Sequence, residues 1–383
     1  MFRTMCKKGV QVDSVCLSNI LSICAPREEC DYPSETYRNV LGTQIHSIAL
    51  RLGFVRDLHL NNSLLEVYAK NKDMNGAELI FAEMPEVNVV SLNIMIAGFG
   101  QEYRSDKSIE YLTRMRDSGF EPNEVTCTSV LGACFCSGDV ETGRRIFSSM
   151  PHPSVSVWNG MLSGYSKYEH YEEALNHFRH MQFQNLKPDS NSLSVILSSC
   201  ARLRYLEGGK QIHGVLKSGY VSDSFVETAL TDMYCKCGET DSARQFFDTV
   251  LRKNTVIWNE MIHGYAHNGR GDEAVELYRE MISLGEKPDG ITFVSVLTAC
   301  SHSRLVETGL EILSSMQRDH GIEPELDHYI CIVDCLGRAG RLDDAEALAD
   351  ATPYKSSSVL WEILLSSCRV HGNVSMARRL FKD

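Results

Sequence analysis

One phrase occurs twice in this chain, one hundred residues apart: residues 157–165 read VWNGMLSGY and residues 257–265 read IWNEMIHGY. Self-similarity at a fixed period is the mark of a repeat architecture, and it constrains the fold more tightly than any bulk property. In the first copy Trp158, Met161, Leu162 and Tyr165 fall at i, i+3, i+4 and i+7, the apolar stripe of a helix. A polar turn at 167–170 leads into YEEALNHFRHM, where Ala174, Leu175, Phe178 and Met181 form a second stripe. The segment LKPD (186–189) ends that helix, because Pro188 cannot continue it. The second copy repeats the plan from Trp258 through the turn at 267–269, the helix DEAVELYREM and the exit EKPD. A third runs from Val89 to Asn123.

These three units are each 35 residues long (89–123, 155–189, 255–289). Between them lie related hairpins of 31 residues (58–88, 124–154, 224–254, 326–356). A third variety covers 190–223 and 290–325, and residues 14–57 match it with an insertion around PREECDYPSE, expected to be a surface loop. The sum is ten hairpins from Ser14 to Ser356 with no Gly/Pro/Ser-rich linker between them. One such hairpin buries too little apolar surface to stand alone, but stacked neighbours share a continuous core. Residues 1–13 superpose on 277–289, so they read as the second half of a truncated repeat. Residues 357–383 break off during another second helix, and the chain reads as a piece of a longer one.

Composition removes several alternatives. With 43% hydrophobic residues in 383 the chain has ample material for a core. No apolar run approaches the roughly 20 residues needed to span a bilayer, so no membrane role is expected. A net charge of −12 argues against a grip on nucleic acid by bulk electrostatics alone. The 14 cysteines invite a metal or disulfide reading, yet none are spaced CxxC. Cys24, Cys134, Cys200, Cys300 and Cys368 occupy one equivalent place in five similar segments, where a small apolar side chain is wanted. Structural packing in a reducing compartment is the expectation, with no metal and no cofactor.

A 34-residue helical hairpin alone would suit tetratricopeptide repeats, a protein-binding scaffold, and the acidic charge favours that alternative. The particular words here, VxWNxMIxGY, KPD, MYxKCG and AC…GxxIH, resemble instead the plant pentatricopeptide repeat (PPR) family, in its branch that alternates P, L and S repeats of about 35, 35 and 31 residues. Residues 328–348 and 359–377 resemble that branch's last short repeat and the start of its C-terminal extension (E) motif. The resemblance implies an all-α, right-handed α-solenoid superhelix of antiparallel helix pairs, with first helices lining the concave face. It implies a non-enzymatic function: sequence-specific binding of single-stranded organellar RNA, one base per repeat. Within the branch it points to site recognition for C-to-U RNA editing, with a DYW-type deaminase supplied in trans. Placement in the mitochondrion, or alternatively the chloroplast, comes from the family only, since Met1 begins inside a repeat and shows no targeting peptide.

In this family two side chains per repeat read a base: the residue after the Trp position and the last residue of the repeat. The resemblance therefore implies the reader pairs Asn62/Asn88, Asn93/Asn123, Thr128/Ser154, Asn159/Asp189, Thr228/Asn254 and Asn259/Asp289. Trp158 and Trp258 are then packing residues, while Asn159 and Asn259 begin a helix where a base can be reached. A carboxylate only accepts, so Asp189 and Asp289 should favour a ring N–H, as in uracil or guanine, whereas Asn254 can donate to the bare ring nitrogen of adenine or cytosine. By the family rule Asn at the first reader goes with pyrimidines and Thr with purines. The competing reading is helix capping, common for Asn and Asp near a helix terminus. The pairs Ser18/Asp57, Ser194/Asp223, Val294/Glu325 and Ile330/Ser356 depart from the code.

No catalytic chemistry is expected. His170-Tyr-Glu172 matches the HxE of a zinc deaminase, but the companion PCxxC is missing and His170 falls in a repeat turn. His46 and His213 follow the same word, QIH, and read as repeat packing.

Overall fold

The computed structural model describes residues 13–24, 35–150, 152–217 and 223–380. Residues 1–12, most of the insertion at 25–34 and the side chain of Cys24 lie outside the described residues. Among the described residues there are 22 α-helices, one short 3-10 turn at Phe54–Arg56 and no strand. They divide into two compact units after Pro188.

In the first unit the leading helices of the hairpins are Ser14–Cys24, Leu58–Lys70, Val89–Gln101, Glu124–Cys136 and Val155–Lys167. Their second helices are Glu35–Leu52, Met74–Glu83, Ser105–Asp117, Val140–Ser148 and Tyr171–Phe183. In the second unit the leading helices are Ser190–Leu203, Ser224–Lys236, Thr255–His267, Gly290–Ser303, Leu326–Arg338 and Ser358–Val370. The partners there are Leu206–Lys217, Thr240–Thr249, Gly271–Ser283, Val306–His320, Leu342–Ala351 and Val374–Leu380.

Local chemistry sets both ends of the leading helix. Asp57, Asn88, Asn123, Ser154, Asp189, Asp223, Asn254 and Asp289 each cap the helix that follows, accepting a backbone N–H from its third residue. Such a cap contributes about 1 kcal/mol. After the leading helices from Leu58–Lys70 onward the chain turns in the left-handed conformation at the fifteenth residue from the helix start, as at Gly238 (φ 84°) and Gly269 (φ 72°). Glycine adopts that backbone without steric cost. Arg204 (φ 51°) and Arg304 (φ 57°) hold it with a side chain in place.

Within each unit successive leading helices lie side by side, and each second helix seats on its own leading helix and on the next one. The closeness of that layer explains the GY of the repeated phrase. A Cβ added at Gly264 would meet Cys235 Sγ at 2.2 Å, and one at Gly164 would meet the Phe135 ring at 2.2 Å. The recurrent cysteine is core, as expected for four of its five copies: Cys134, Cys200, Cys300 and Cys368 are buried. Trp258, 1% exposed, packs edge-on against Phe247 with ring centroids 4.9 Å apart, and Trp158 does the same on Phe147 at 4.7 Å. His46 and His213 meet the hydroxyls of Tyr68 (3.2 Å) and Tyr234 (2.8 Å), the same contact in two hairpins.

Candidate nucleic-acid interface

The expected reader residues assemble at the N-terminal ends of the leading helices. Asp289 caps Gly290–Ser303, and its Oδ1 accepts from Thr292 N (2.8 Å), Thr292 Oγ1 (2.9 Å) and Asn259 Nδ2 (3.0 Å). The single hydrogen of the Thr292 hydroxyl is shared with Asn259 Oδ1, the nearer of the two acceptors at 2.6 Å. The two readers, 30 residues apart in sequence, are therefore clasped by one hydroxyl. The same clasp recurs in the first unit. Asn93 Nδ2 donates to Asn123 Oδ1 (3.3 Å) and Thr126 Oγ1 to Asn93 Oδ1 (2.6 Å). Asn62 Nδ2 donates to Asn88 Oδ1 (3.4 Å) and Ser91 Oγ to Asn62 Oδ1 (2.6 Å).

Capping and base contact are thus not alternatives at these positions. The cap engages Oδ1 and fixes the side chain, and the second functional atom takes no part in it. That atom is a carboxylate oxygen in Asp289 and an amide nitrogen in Asn88 and Asn123. Partial burial raises the Asp289 pKa, but the hydrogen bonds from Thr292 and Asn259 outweigh it and hold the carboxyl below the usual range. Asp289 is therefore a charged acceptor at neutral pH.

Two expected pairs are built differently. Residue 157 is Val and residue 257 is Ile, so the clasping hydroxyl is missing beyond Ser154 and Asn254. The hydroxyl of Thr128 turns back onto the carbonyls of Glu124 (3.0 Å) and Val125 (3.1 Å), and that of Thr228 onto Ser224 (2.7 Å). Ser154 and Asn254 cap the next helices through Val157 N (3.5 Å) and Ile257 N (3.0 Å). Asn159 lies in the first unit and Asp189 opens the second, where its Oδ1 accepts from Ser192 N at 2.8 Å. Asn159 and Asn259 occupy the fifth helical residue and are only 7% and 6% exposed, deeper than a helix start implies.

A set of residues that sequence reasoning missed stands beside the readers. Val90, Val125, Val256 and Ile291 are 52%, 58%, 54% and 66% exposed, each at the second residue of a leading helix. In the first unit Val90 and Val125 border a groove of about 460 Å³ that also contains Asn93 and Asn123. Apolar side chains left in water beside paired amides make a slot for something flat, with polar edges and apolar faces. The signal in the sequence is an apolar residue off the helix's buried stripe that returns at one phase. The clasping Ser or Thr carried a signal too, since a cap followed three residues later by a hydroxyl is a capping motif.

The HxE match dissolves on inspection: His170 sits at the turn before Tyr171–Phe183, with its ring 3.7 Å from Glu173. Among the described residues no cluster of His, Cys, Asp and Glu could hold a metal ion. None of the helices described is long and apolar enough to cross a membrane.

Comparison with known proteins meets this geometry at the level of the family. The PPR repeat family model matches residues 87–137, 153–202 and 253–302, and the PPR repeat model matches 62–89, 125–152, 228–255 and 291–320. The pentatricopeptide repeat-containing protein At4g20770 of Arabidopsis thaliana is 68% identical over 99% of this chain, which spans 62% of that relative's length. From the same plant, the chloroplastic DOT4 is 32% identical over 99% of the chain and 47% of its own length. The mitochondrial At3g53360 is 33% identical over 90% of the chain and 50% of its own length. The crystal structure of maize PPR10 superposes with a TM-score of 0.74 at 20% identity, over 99% of this chain and 54% of that one, a likeness that shows the helical-repeat solenoid fold. A second crystal form holds PPR10 in complex with an 18-nt psaJ RNA element, with a TM-score of 0.68 at 19% identity over 91% of this chain and 51% of that one. With family models matching most of residues 62–320 and a relative 68% identical over 99% of its length, this chain belongs to the pentatricopeptide repeat family.

Proposed function

We propose that this chain binds single-stranded RNA in a sequence-specific manner, reading one base per hairpin with the clasped reader pairs. The observation that carries this is the groove in which Asn93 and Asn123 lie between the exposed Val90 and Val125. A base inserted there would stack on apolar walls and present its edge to two amides. Recognition of an unstacked base by two or three side chains of a helical repeat is a known physical solution.

The edge chemistry follows from which atom the cap leaves over. In Asn259/Asp289 the remaining Asn N–H is a donor and the outer carboxylate oxygen is an acceptor, which complements the carbonyl and ring N–H of uracil. In Asn62/Asn88 and Asn93/Asn123 both leftover groups donate, which complements the carbonyl and bare ring nitrogen of cytosine. Asn159/Asp189 has the composition of the uracil pair. Thr228/Asn254 offers a donor to a bare ring nitrogen, as in adenine, and Thr128/Ser154 remains undetermined. Reading parallel to the RNA, hairpins 58–289 specify 5′-Y-Y-?-U-?-A-U-3′ with C preferred at both Y, where the unread third and fifth places face 124–154 and 190–223.

The biological setting we propose is an organelle, the mitochondrion or the chloroplast, and the names of the Arabidopsis relatives include both. The task proposed is marking a cytidine for C-to-U editing, with a DYW-type deaminase acting in trans. Its support is the resemblance of residues 328–348 and 359–377 to the end of an editing-type array. A gel shift with the proposed RNA, against an RNA of the same composition in scrambled order, tests the binding. Equal retention of both, together with capture of a protein partner, would favour the scaffold reading instead.

A further inference from the structure

We infer that two of the repeats which depart from the base code, 190–223 and 290–325, grip the RNA sugar–phosphate backbone through a cationic groove formed with the hairpin that follows each. This rests on the RNA-binding reading above and assigns these repeats a different job within it. Two grooves in the second unit carry the inference. One, of about 490 Å³, is lined by Arg202, Arg204, Asp232, Lys236, Glu260 and His263, among others. The other, of about 330 Å³, is lined by Arg304, Asp334, Arg338, Ser366 and His371, among others. Neither contains a reader.

The two grooves are built alike. Arg204 and Arg304 each occupy the left-handed fifteenth position of their hairpin. Asp232 and Asp334 are the ninth residues of the next leading helix, and Lys236 and Arg338 are its thirteenth. The acid and base pair within that helix, Lys236 to Asp232 at 2.8 Å and Arg338 to Asp334 at 2.7 Å. The hairpin 58–88, which follows the third departing repeat, has the same pair in Glu66 and Lys70 at 2.7 Å. The hairpin 124–154 follows a code-bearing repeat and has Gly132 and Cys136 in those places. The pair thus follows the three repeats of the variety seen at 190–223, 290–325 and 14–57, whereas the helix after 326–356 has Ser366 and Val370 in those places.

Charge points to the occupant. Arg244, Arg270 and Arg341, outside the leading-helix layer, each hold two carboxylates of the protein. Arg204 and Arg304 are exposed, and their guanidinium groups have no hydrogen-bond or ion-pair partner among the described residues. In a chain of net charge −12, two unpaired guanidinium groups at one phase, each lining a groove, are placed for an anion. With the neighbouring acid already neutralised by Lys236 or Arg338, each Arg remains free for a phosphate oxygen. Glu260 and Ser366 stand in the grooves as acceptors for a ribose hydroxyl. Arg204 and Arg304 are three hairpins apart, so at one base per hairpin the clamps fall three nucleotides apart.

The test combines a salt titration with a scan of neutral methylphosphonate linkages along a single-stranded RNA that carries the proposed sequence and flanking nucleotides. The variant is Arg204→Asn with Arg304→Asn, because Asn tolerates left-handed backbone, and Arg179→Gln with Arg279→Gln, both exposed on second helices, is the control for the same loss of two charges. The slope of log affinity against log salt should fall by about 1.4 in the double variant, roughly 0.7 per lost phosphate contact on a single strand. The parent should be sensitive at two linkages three nucleotides apart, and the double variant should have lost that sensitivity while keeping its U-over-C preference opposite Asp289. An unchanged slope, or one that the control reproduces, overturns the clamp while leaving base reading intact. Failure of the parent to distinguish the proposed RNA from a scrambled one would remove the reading beneath it as well.

Discussion

Asn259 and Asp289 are joined by one hydrogen bond, Nδ2 to Oδ1 at 3.0 Å, and the same oxygen caps the helix Gly290–Ser303. The cap leaves the other carboxylate oxygen to meet a ligand. Asn123 makes the equivalent cap at 3.0 Å, so an amide can replace the carboxylate without loss of the helix start. Asp289→Asn should therefore leave stability nearly unchanged and move the preference of that repeat from U towards C. One lost base contact typically costs ~1–3 kcal/mol. A two-by-two titration of both proteins against both RNAs is the measurement. Equal affinities in all four cells would reduce Asp289 to a cap.

Salt should weaken RNA binding only modestly. The chain is acidic overall, and the contacts proposed for it are base edges with a few local cations. A log–log salt plot should correspond to fewer than about six released counterions. A steeper line would mean that backbone charge, not base reading, dominates.

Two glycines in leading helices should respond in opposite ways to the same substitution. Gly264→Ala places a Cβ 2.2 Å from Cys235 Sγ, while Gly160→Ala meets nothing within 4 Å. Overpacking should make the first destabilising by about 1–3 kcal/mol. Helix propensity should make the second stabilising by up to about 1 kcal/mol. Thermal melts of the two variants beside the parent decide it, and equal shifts in Tm would contradict the close helix approach.

Trp258 is buried, yet among the described residues its indole N–H has no hydrogen-bond partner. Trp258→Phe should therefore be tolerated to within ~1.5 kcal/mol, because it removes an unsatisfied donor along with some volume. Trp258→Ala should cost about 3–5 kcal/mol, since it leaves a cavity against Phe247. Chemical denaturation gives both values. A Phe variant as damaged as the Ala variant would show that the indole itself matters.

His177 should make the first unit acid-sensitive. It packs against Trp158 and Phe147, and burial, aided by the nearby His180 and Arg144 charges, pushes its pKa down from 6.5 to about 4. A histidine held neutral in the folded state binds more protons when unfolded, so stability is retained above pH 6.5 and falls as the pH drops from there towards 4. The loss across that window should approach about 2–3 kcal/mol. His177→Phe should flatten this part of the stability profile. A variant with the parent's slope between those pH values would place the acid sensitivity elsewhere.

What the sequence determined by itself is local. Helix stripes, caps and turns depend on residues three or four apart, and these can be read directly from phrases such as VWNGMLSGY. The burial of Cys134, Cys200, Cys300 and Cys368 and the packing of Trp158 and Trp258 follow from the same periodicity, because a stripe that repeats in register must face the stack. The depth of Asn259, the hydroxyl of Thr292 that clasps it, the exposed Val90 and Val125 and the two arginine grooves all depend on which hairpin lies against which. Those contacts join residues some 30 positions apart through the distance between neighbouring helices. Gly264 against Cys235 shows how finely that distance is set, by the absence of one methyl group. Only packing decides it, since the side chains that determine it belong to different repeats.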